Sequence, residues 1–275
     1  MSIPVAYPGP AGSHTAAAAA ALFPSARLVP VPGFRAVADA VAAADVTHGV
    51  LPIESSLAGA VAETHDLLYE RELSIVGETV LQIRHCLAAT APVALDELRV
   101  IRSHSSALDQ CRDLLARLPH AIAVASSTTA EAARQVAEDG DETAAAIVGP
   151  AAVSLFGLTV LVDDVGDGAS FTRFVSIAPY TRVEPLQSAR TAFTFATDHR
   201  PGALHVAIEP FARAGVDLVR LVSRPLPATP WKYRFDAVVA GHPLEPAVRT
   251  ALHELEAVTL TLRVVGVYEG HEEQA

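Results

Sequence analysis

The sequence predicts an α/β protein in two parts, and three observations support that fold class. Over roughly the first 180 residues, short apolar runs alternate with amphipathic stretches, and Gly, Ser or Thr residues stand between them. This alternation is typical of largely parallel sheets covered by helices. Between Pro179 and Ala189, Pro, Thr, Gln and Ser interrupt the apolar periodicity. Beyond that break, a strand, a helix, two strands, a helix and a strand follow within about 80 residues, which is the order of a ferredoxin-like sandwich.

In the first part, each apolar run with period two predicts a strand and each amphipathic stretch predicts a helix. The predicted strands are Pro4–Tyr7, His48–Pro52, Leu73–Leu81, Arg84–Ala89, Leu98–Ser103, Ile122–Ala125 and Ala144–Gly149, with another starting within Ala169–Ile177. The predicted helices are Ala16–Phe23, Phe34–Ala44, Ser105–Leu118, Thr129–Glu138 and Ala151–Phe156. The strands around Leu73–Ala89 are expected to cross into a second region. Sheets of this kind bind ligands at the carboxyl ends of their strands, against helix N-termini.

The second part is shorter and its elements follow the same rules of periodicity. Its predicted strands are Arg190–Thr197, Val216–Arg224, Trp231–Val239 and Leu260–Tyr268, and its predicted helices are Gly202–Ala214 and Leu244–Leu255. Two domains of about 180 and about 80 residues lie within the usual range of domain sizes.

Composition excludes several classes of protein. Of 275 residues, 51% are hydrophobic and 19% charged, which is the balance of a folded chain. The net charge of −11 argues against nucleic acid and anionic membranes as partners. The two cysteines, Cys86 and Cys111, lack metal-type spacing and give no disulfide framework. The start of the chain lacks a basic segment before an apolar core, and Ala16–Leu22 is too short to span a membrane, so we expect a cytoplasmic protein.

Three predicted helix starts share one chemistry, that of an anion site. They are the segment Gly12-Ser13-His14-Thr15, the segment Ser103-His104 before the helix carrying Gln110, and the pair Thr128-Thr129. Each offers unpaired backbone N–H groups, the positive end of a helix dipole and hydroxyls. Their grouping after strands favours a cleft that binds carboxylates, although Ser and Thr are also simply good N-caps. Phosphate-binding glycine motifs are absent from the sequence.

Two further segments place polar side chains where strands begin or end. Glu54 and Ser55 follow a buried strand, so they should emerge at its carboxyl end, although Glu54 could instead cap the next helix. Thr172 and Arg173 precede Phe174 at the start of an apolar run. A guanidinium holds a carboxylate in a fixed orientation, which makes Arg173 a candidate ligand-binding residue. The alternative is a strand-edge arginine in a surface ion pair.

These segments, in this order, resemble the prephenate dehydratase family over nearly the whole chain. The motifs read here as Gly9-Pro-x-Gly12, Pro52-Ile-Glu54 with Gly59 and Thr64-x-Asp66-Leu-Leu, Ser103-His104 with Gln110-Cys111, Thr128-Thr129-Ala-x-Ala-Ala, Gly157-Leu158 and Thr172-Arg173-Phe174. The resemblance implies a two-lobed, periplasmic-binding-protein-like catalytic domain at 1–181, with parallel-type sheets and a cleft between the lobes. One lobe would comprise 1–80 and 160–181, and the other 81–159.

The second part resembles the ACT regulatory module of the same family, here at 189–270. The residues that match its two signatures are Pro201, Gly202, Ala203 and Leu204, and Ser223, Arg224 and Pro225. The family's module binds phenylalanine between paired subunits, so the resemblance implies a phenylalanine effector and a homodimer or homotetramer.

The implied reaction removes the ring carboxylate of prephenate as CO₂ and its hydroxyl as water, giving phenylpyruvate for phenylalanine synthesis without a metal or cofactor. Arg173 would hold a carboxylate and Thr172 would hydrogen-bond the departing hydroxyl, while Gln110 and Ser55 would complete the catalytic set. The residues expected to bind substrate are Gly12, Ser13, His14, Thr15, Glu54, Ser103, His104, Thr128, Thr129 and Phe174.

The chain departs from the family pattern at five positions that bear on function. Ser55 and Ser170 stand where the family usually has Asn, and the lost amide donor can cost a few kcal/mol of transition-state stabilisation. His14 and His65 replace apolar or aromatic residues, and either could act as a general acid near neutral pH or contact a differently substituted ring. Val222 replaces a Glu of the second ACT signature, which predicts a weakened effector response.

Two alternatives to the dehydratase therefore stay open. One is a divergent relative acting on prephenate or a close analogue such as arogenate, for example by decarboxylation without aromatisation. The other is a non-catalytic regulator that binds an amino acid.

Overall fold

The computed structural model describes residues 2–179, 186, 188–227 and 229–270, so most of the predicted break at Pro179–Ala189 lies outside the described residues. The strands are β1 Pro4–Pro8, β2 Arg27–Val31, β3 His48–Ser55, β4 Gly59–Ala60, β5 Ser74–Ile83, β6 Cys86–Ala89, β7 Val100–Ser103, β8 Ile122–Ala125, β9 Ala144–Val148, β10 Thr159–Val162, β11 Ser170–Ala178, β12 Ala189–Ala196, β13 Leu218–Pro225, β14 Tyr233–Ala240 and β15 Thr261–Glu269. The helices are α1 His14–Leu22, α2 Gly33–Ala42, α3 Ala62–Glu70, α4 Ser105–Asp109, α5 Arg112–Ala116, α6 Thr129–Asp139, α7 Pro150–Phe156, α8 Ala203–Arg213 and α9 Pro246–Val258.

The first lobe consists of β1–β5 and β11 with α1–α3. Its strands lie in the order β2-β1-β3-β11-β5, and β4 pairs with β3. β1 runs parallel to both neighbours, whereas β11 runs antiparallel to β3 and β5. The predicted parallel-type sheet is therefore mixed, because β5 carries the chain out of the lobe and β11 brings it back beside β5.

The second lobe consists of β6–β10 with α4–α7, in the strand order β10-β6-β9-β7-β8. β7 is parallel to β8 and β9, and β6 is antiparallel to β9 and β10. Thr159–Val162 pairs with β6 and so belongs to the second lobe. The chain therefore returns to the first lobe later than residue 160, where the return was predicted. The first crossing also comes later than predicted, because β5 continues to Ile83.

The helix predicted over Ser105–Leu118 is two short helices, because a loop from the end of the lobe caps the second one. The carboxylate of Asp167 accepts hydrogen bonds from the backbone N–H groups of Arg112 and Asp113, at 2.8 and 3.1 Å. The Asp167 N–H donates to the carbonyl of Gln110. Such capping begins a new helix at Arg112 and leaves Gln110 at the end of α4.

The C-terminal module consists of β12–β15 with α8 and α9, and it has the predicted ferredoxin-like order. Its strands lie as β13-β14-β12-β15, all antiparallel. Because side chains alternate along β12, Phe193 and Phe195 pack under the two helices while Ala192 faces the first lobe. β15 also pairs with β5 at Gly266 and Ile75, so the module extends the sheet of the first lobe.

Helices long and apolar enough to cross a membrane are absent from the described part of the chain.

Candidate functional site

The ends of β3 and β11 bring two predicted site residues side by side. Thr172 lies opposite Ser55 on β3 and opposite Leu81 on β5. The next residue of the chain, Ser56, exchanges hydrogen bonds with the backbone of Phe171, at 2.9 Å in each direction. The Thr172 and Ser55 side chains therefore share one face of the sheet, and a local clamp fixes the two strand ends.

Ser55 also shapes the turn that follows its strand. Its hydroxyl accepts hydrogen bonds from the backbone N–H groups of Leu57 and Ala58, each at 3.3 Å. The Ser55 side chain thus stabilises the backbone of the turn by accepting hydrogen bonds, and an Asn side chain could accept the same hydrogen bonds.

Thr172 and Arg173 lie on opposite faces of β11. Phe174, on the Thr172 face, packs with Tyr7 and Ala18 against α1. Val175, on the Arg173 face, belongs to the core shared with α2, α3 and the module. This follows from the period of two along a strand, and it separates the two residues that the sequence assigns to one site.

The predicted carboxylate clamp at Arg173 is occupied by the protein itself. Arg173 Nη1 lies 2.7 Å from Glu78 Oε1, and Arg173 Nε lies 3.3 Å from Glu54 Oε2. Arg220 of the module lies 3.6 Å from the same Glu54 oxygen. Arg173 and Glu54 therefore face the C-terminal module, and neither contributes to the face that carries Thr172. The alternative that Glu54 caps a helix is also not observed, because the N-cap of α3 is Val61.

The start of α1 joins the two lobes. Gly12 has φ of +83°, and a side chain there would lie 3.1 Å from the Cα of Ala152 in α7. A side chain at Gly149 would come within 2.9 Å of His14 Nε2. Ser13 is the N-cap, and its hydroxyl accepts from the Ala16 N–H at 3.2 Å. The glycines thus let the backbones of α1 and the second lobe approach closely.

His14 meets a second histidine that the sequence interpretation overlooked. Its ring lies edge-on to His85, with 5.7 Å between ring centroids. His14 Nε2, His85 Nδ1 and Gln110 Oε1 are all buried, and none has a hydrogen-bond partner among the described residues. Three unpaired polar atoms between the lobes mark a place where a ligand or water can bind.

Burial keeps both imidazoles neutral. Burial and the neighbouring His85 lower the pKa of His14 to about 4, against a small opposing effect of a hydrogen bond to the Arg84 carbonyl. Burial also lowers the pKa of His85, and the nearby Gln110 side chain, whose Oε1 makes no hydrogen bond within the described part of the chain, partly offsets this effect. A neutral imidazole has one ring nitrogen that donates and one that accepts, so the unpaired Nε2 of His14 can hydrogen-bond a ligand. The expectation of a general acid near neutral pH is therefore corrected for His14.

Replacing His14 with Phe should make the stability of the protein less sensitive to acid. The folded protein keeps His14 neutral down to about pH 4, whereas the unfolded chain takes up a proton near pH 6.5. The free energy of unfolding therefore falls as pH drops through this window, by roughly 1 kcal/mol per pH unit for one proton. Urea unfolding at several pH values between 6.5 and 4.5 measures how steeply the free energy of unfolding changes with pH. His199→Gln, at an exposed position, is the control, and an unchanged slope in His14→Phe would refute the prediction.

Three predicted residues of the second lobe have structural hydrogen bonds. Ser103 is fully buried and donates to the carbonyl of Ile147 at 2.5 Å. His104 is the N-cap of α4, and Thr128 is the N-cap of α6, accepting from the Glu131 N–H at 3.0 Å. The hydroxyls thus cap helices or join strands. In this lobe the remaining backbone N–H groups of α6, which begins at Thr129, stay candidates for an anion.

His65 lies away from the Thr172 face, whereas Ser170 lies on that face, two residues before Thr172 on β11. His65 is buried on α3, and its Nδ1 is 3.0 Å from Asp236 Oδ2 in the module. Ser170 is buried opposite Ile83 at the start of β11. His65 therefore belongs to the contact between first lobe and module, so the expectation that it acts on substrate is corrected.

The predicted effector residues lie in two places. Gly202, at φ of +80°, caps α8, whose first residues are Ala203 and Leu204. Arg224, on the edge strand β13, makes a two-point ion pair with Asp66 of α3, with Nη2–Oδ2 at 2.6 Å. Burial raises the pKa of Asp66, but hydrogen bonds from Arg224 and Arg234 outweigh this and lower it. An open groove beside this pair is lined by Asp66, Tyr69, Arg224, Pro225 and Arg234, among others.

The residues that sequence reasoning missed are His85, Glu78, Arg190 and Arg220. The one signal in the sequence was Glu78, a carboxylate inside the apolar strand Ser74–Ile83, because a buried charge needs a charged partner elsewhere in the fold. Clusters of His, Cys, Asp and Glu that could hold a metal are absent among the described residues. Burial raises the pKa of Cys86 to about 11 and that of Cys111 to about 12, so neither thiol is a ready nucleophile.

Comparison with known proteins gives matches over most of the chain. The family model for prephenate dehydratase matches residues 5–181. The bifunctional chorismate mutase/prephenate dehydratase of Pseudomonas aeruginosa is 36% identical over 267 residues, which cover 96% of this chain and 72% of that protein. The chloroplastic arogenate dehydratase/prephenate dehydratase 2 of Arabidopsis thaliana is 33% identical, with the same coverage.

Two solved structures match the fold closely. A prephenate dehydratase from Arthrobacter aurescens in complex with L-Phe has a TM-score of 0.90 and 30% identity, covering 99% of this chain and 92% of that one. A protein described as a novel type of quorum quenching acylase has a TM-score of 0.91 and 31% identity, covering 99% and 100%.

Proposed function

Because this chain belongs to the prephenate dehydratase family, we propose that it converts prephenate to phenylpyruvate, with loss of CO₂ and water. The observation that carries the proposal is the hydroxyl of Thr172 beside Ser55 at adjoining strand ends. Both residues stand at the edge of the first lobe where the chain crosses to the second, which suits a substrate held between the lobes.

In the proposed reaction the bond between the ring and its carboxylate breaks, and the electron pair completes the aromatic ring as the hydroxyl departs. The hydroxyl takes up a proton from solvent and leaves as water. Thr172 would donate a hydrogen bond to the departing oxygen, and as a free alcohol it stabilises charge rather than supplying the proton. Aromatisation supplies much of the driving force, so orientation of the substrate is the main task of the protein.

The carboxylates of the substrate need partners other than Arg173. The N-terminus of α1 lies at the contact between the lobes, and α6 begins directly after β8 with Thr128 as its cap. Their remaining backbone N–H groups and dipole ends suit carboxylates in an acidic protein. His14 Nε2 would accept a hydrogen bond from a hydroxyl or an ammonium group of the ligand.

We also propose that the C-terminal module is an ACT module that binds phenylalanine, that the protein is a cytoplasmic homodimer or homotetramer, and that it serves phenylalanine synthesis. The Arthrobacter relative was solved in complex with L-Phe, which supports such an effector. Arg224 is already paired with Asp66, and Val222 stands in place of the signature Glu, so we expect a weakened response. Calorimetry showing tight phenylalanine binding together with strong inhibition would contradict that expectation.

A second candidate activity is hydrolysis of an acyl-amide bond. It is favoured by the similarity to the quorum quenching acylase over the full length of both chains. The two neutral imidazoles with free ring nitrogens between the lobes, His14 and His85, could serve as bases for an attacking water.

The deciding experiment is incubation of the purified protein with prephenate, with products followed by mass and ultraviolet absorbance. We expect phenylpyruvate at an enzymatic rate. A non-aromatic product, or no turnover, would contradict the proposal. Parallel reactions with arogenate and with an acyl-amide substrate then separate the divergent dehydratase from the acylase.

A further inference from the structure

We propose that Arg190, in the C-terminal module, is a positioning residue for the reaction in the first lobe. Through the buried carboxylate of Glu78 it holds Arg173, and Arg173 fixes the segment of β11 that carries Thr172. The inference rests on the function proposed above, because it takes Thr172 to act on the substrate.

Glu78 is the centre of this arrangement. Its side chain is fully buried on β5, and a single oxygen, Oε1, accepts hydrogen bonds from two guanidinium groups. Arg173 Nη1 lies 2.7 Å from this oxygen and Arg190 Nη1 lies 2.6 Å from it. One of these arginines belongs to the first lobe and the other to β12 of the module, so a single carboxylate oxygen joins the two parts of the chain.

A second carboxylate repeats the pattern. Glu54 Oε2 lies 3.3 Å from Arg173 Nε and 3.6 Å from Arg220 Nη1, and the Arg220 side chain is only 9% exposed. Arg173 is therefore held between two carboxylates, each shared with an arginine of the module. The cluster extends to Tyr268 of β15, whose pKa is raised by burial and then by the charge of Glu78.

Burial makes this cluster a strong constraint. A carboxylate taken out of water is stable only with charged partners in good geometry, and removing one partner is far more costly than in a surface pair. Two guanidinium groups bind this one oxygen. Without Arg190, Glu78 Oε1 loses one of the two guanidinium groups that bind it, and the carboxylate that anchors Arg173 is less constrained.

The backbone pairing of β11 with β3 is irregular next to Arg173. Arg173 pairs with Glu54 and Thr172 with Ser55, but the pairing of β11 with β3 shifts between Arg173 and Phe174. The regular ladder is interrupted at the residues that place Thr172. On its other side β11 pairs regularly with β5 from Ser170 to Ser176, so the side-chain contacts of Arg173 add to that pairing in setting how β11 sits against β3. A displacement of about 1 Å can cost a hundredfold in rate.

The test is Arg190→Met, read out in two ways. Hydrogen exchange of the 170–178 peptide should be about tenfold faster than in the wild type, because the strand end opens more often. The kcat for prephenate should fall about tenfold with KM within twofold, because substrate still binds while Thr172 is misplaced. Arg190→Lys keeps a cation beside Glu78. Its hydrogen exchange and its kcat should both lie between those of Arg190→Met and the wild type.

Two further variants separate positioning from general damage. Arg213→Met, which removes an exposed arginine of the same module, should change neither quantity. The double variant Arg190→Met with Glu78→Gln removes both charges. Its loss of kcat should be smaller than the sum of the losses, as free energies, in the two single variants.

Unchanged exchange at β11, or a rise in KM that accounts for the whole kinetic loss, would overturn the proposal. If the wild type does not turn over prephenate, the proposed function fails, while the exchange arm still decides whether Arg190 holds β11. Should Arg190→Met not fold, the Lys variant and the double variant carry the same comparison.

Discussion

Replacing Thr172 with Ala should lower kcat for prephenate dehydration by about a thousandfold and leave ligand affinity nearly unchanged. The hydroxyl would be a donor to the departing oxygen, and the loss of one such preorganised donor costs about 3 to 4 kcal/mol of transition-state stabilisation. The strand itself should survive, because Thr172 pairs with β3 on one side and β5 on the other through backbone groups. Steady-state kinetics with prephenate, and calorimetry with phenylpyruvate as ligand, measure the two effects.

The controls for this experiment keep the hydroxyl or remove one elsewhere. Thr172→Ser should retain most of the activity. Thr47→Ala removes an exposed hydroxyl that donates to the Pro4 carbonyl, and it should leave kcat unchanged. Full turnover in Thr172→Ala would remove this residue from the mechanism. Equal loss of affinity and turnover would mean that Thr172 binds substrate without favouring the transition state.

Gly266→Ala should destabilise the protein by about 3 kcal/mol, because it forces apart the first lobe and the module. A Cβ at Gly266 would overlap the carbonyl oxygen of Ile75 and lie 2.8 Å from its Cβ. Both neighbours belong to the β5 backbone or its rigid first atoms, so no flexible side chain can give way. These two residues also form the single pairing between β15 and β5. Thermal unfolding measures the loss.

The matched control is Gly168→Ala, where a Cβ would meet nothing within 4 Å. That variant should unfold within about 0.5 kcal/mol of the wild type. If Gly266→Ala is equally benign, β15 and β5 are not in close contact. Gly266→Ala could lower stability without changing kcat or the amide hydrogen exchange of β11. That result would mean that docking of the module does not position Thr172.

The predicted order of elements was largely correct, and the misses have physical causes. The apolar strand Ile122–Ala125 was predicted with its observed limits. The sequence prediction did not include β2, α3 or β10. A proline lies within β2, α3 contains many polar residues and β10 is only four residues long, so none of them shows a clear hydrophobic periodicity. The helix over Ser105–Leu118 is broken at Gln110 by a carboxylate from Asp167, which is distant in sequence and gives no local signal.

The candidate site was only partly predictable. Thr172 and Ser55 were proposed together, and they do lie side by side. Arg173 was assigned to the same site from its proximity in sequence, whereas the alternation of a strand turns it to the other face. The sequence offers His65 as a general acid or as a contact to a differently substituted ring, whereas its partner in the structure is Asp236, which is 171 residues away in the chain.

The fold class and the family follow from the amino-acid sequence, because they depend on periodicity and on ordered motifs. Tertiary structure alone decided the partners of each charged group. Glu78, Arg173 and Arg190 come from three segments of the chain, and only the packing of the module onto the first lobe brings them to one oxygen. A buried carboxylate takes whichever cation the fold supplies, and spacing along the chain carries no record of that choice.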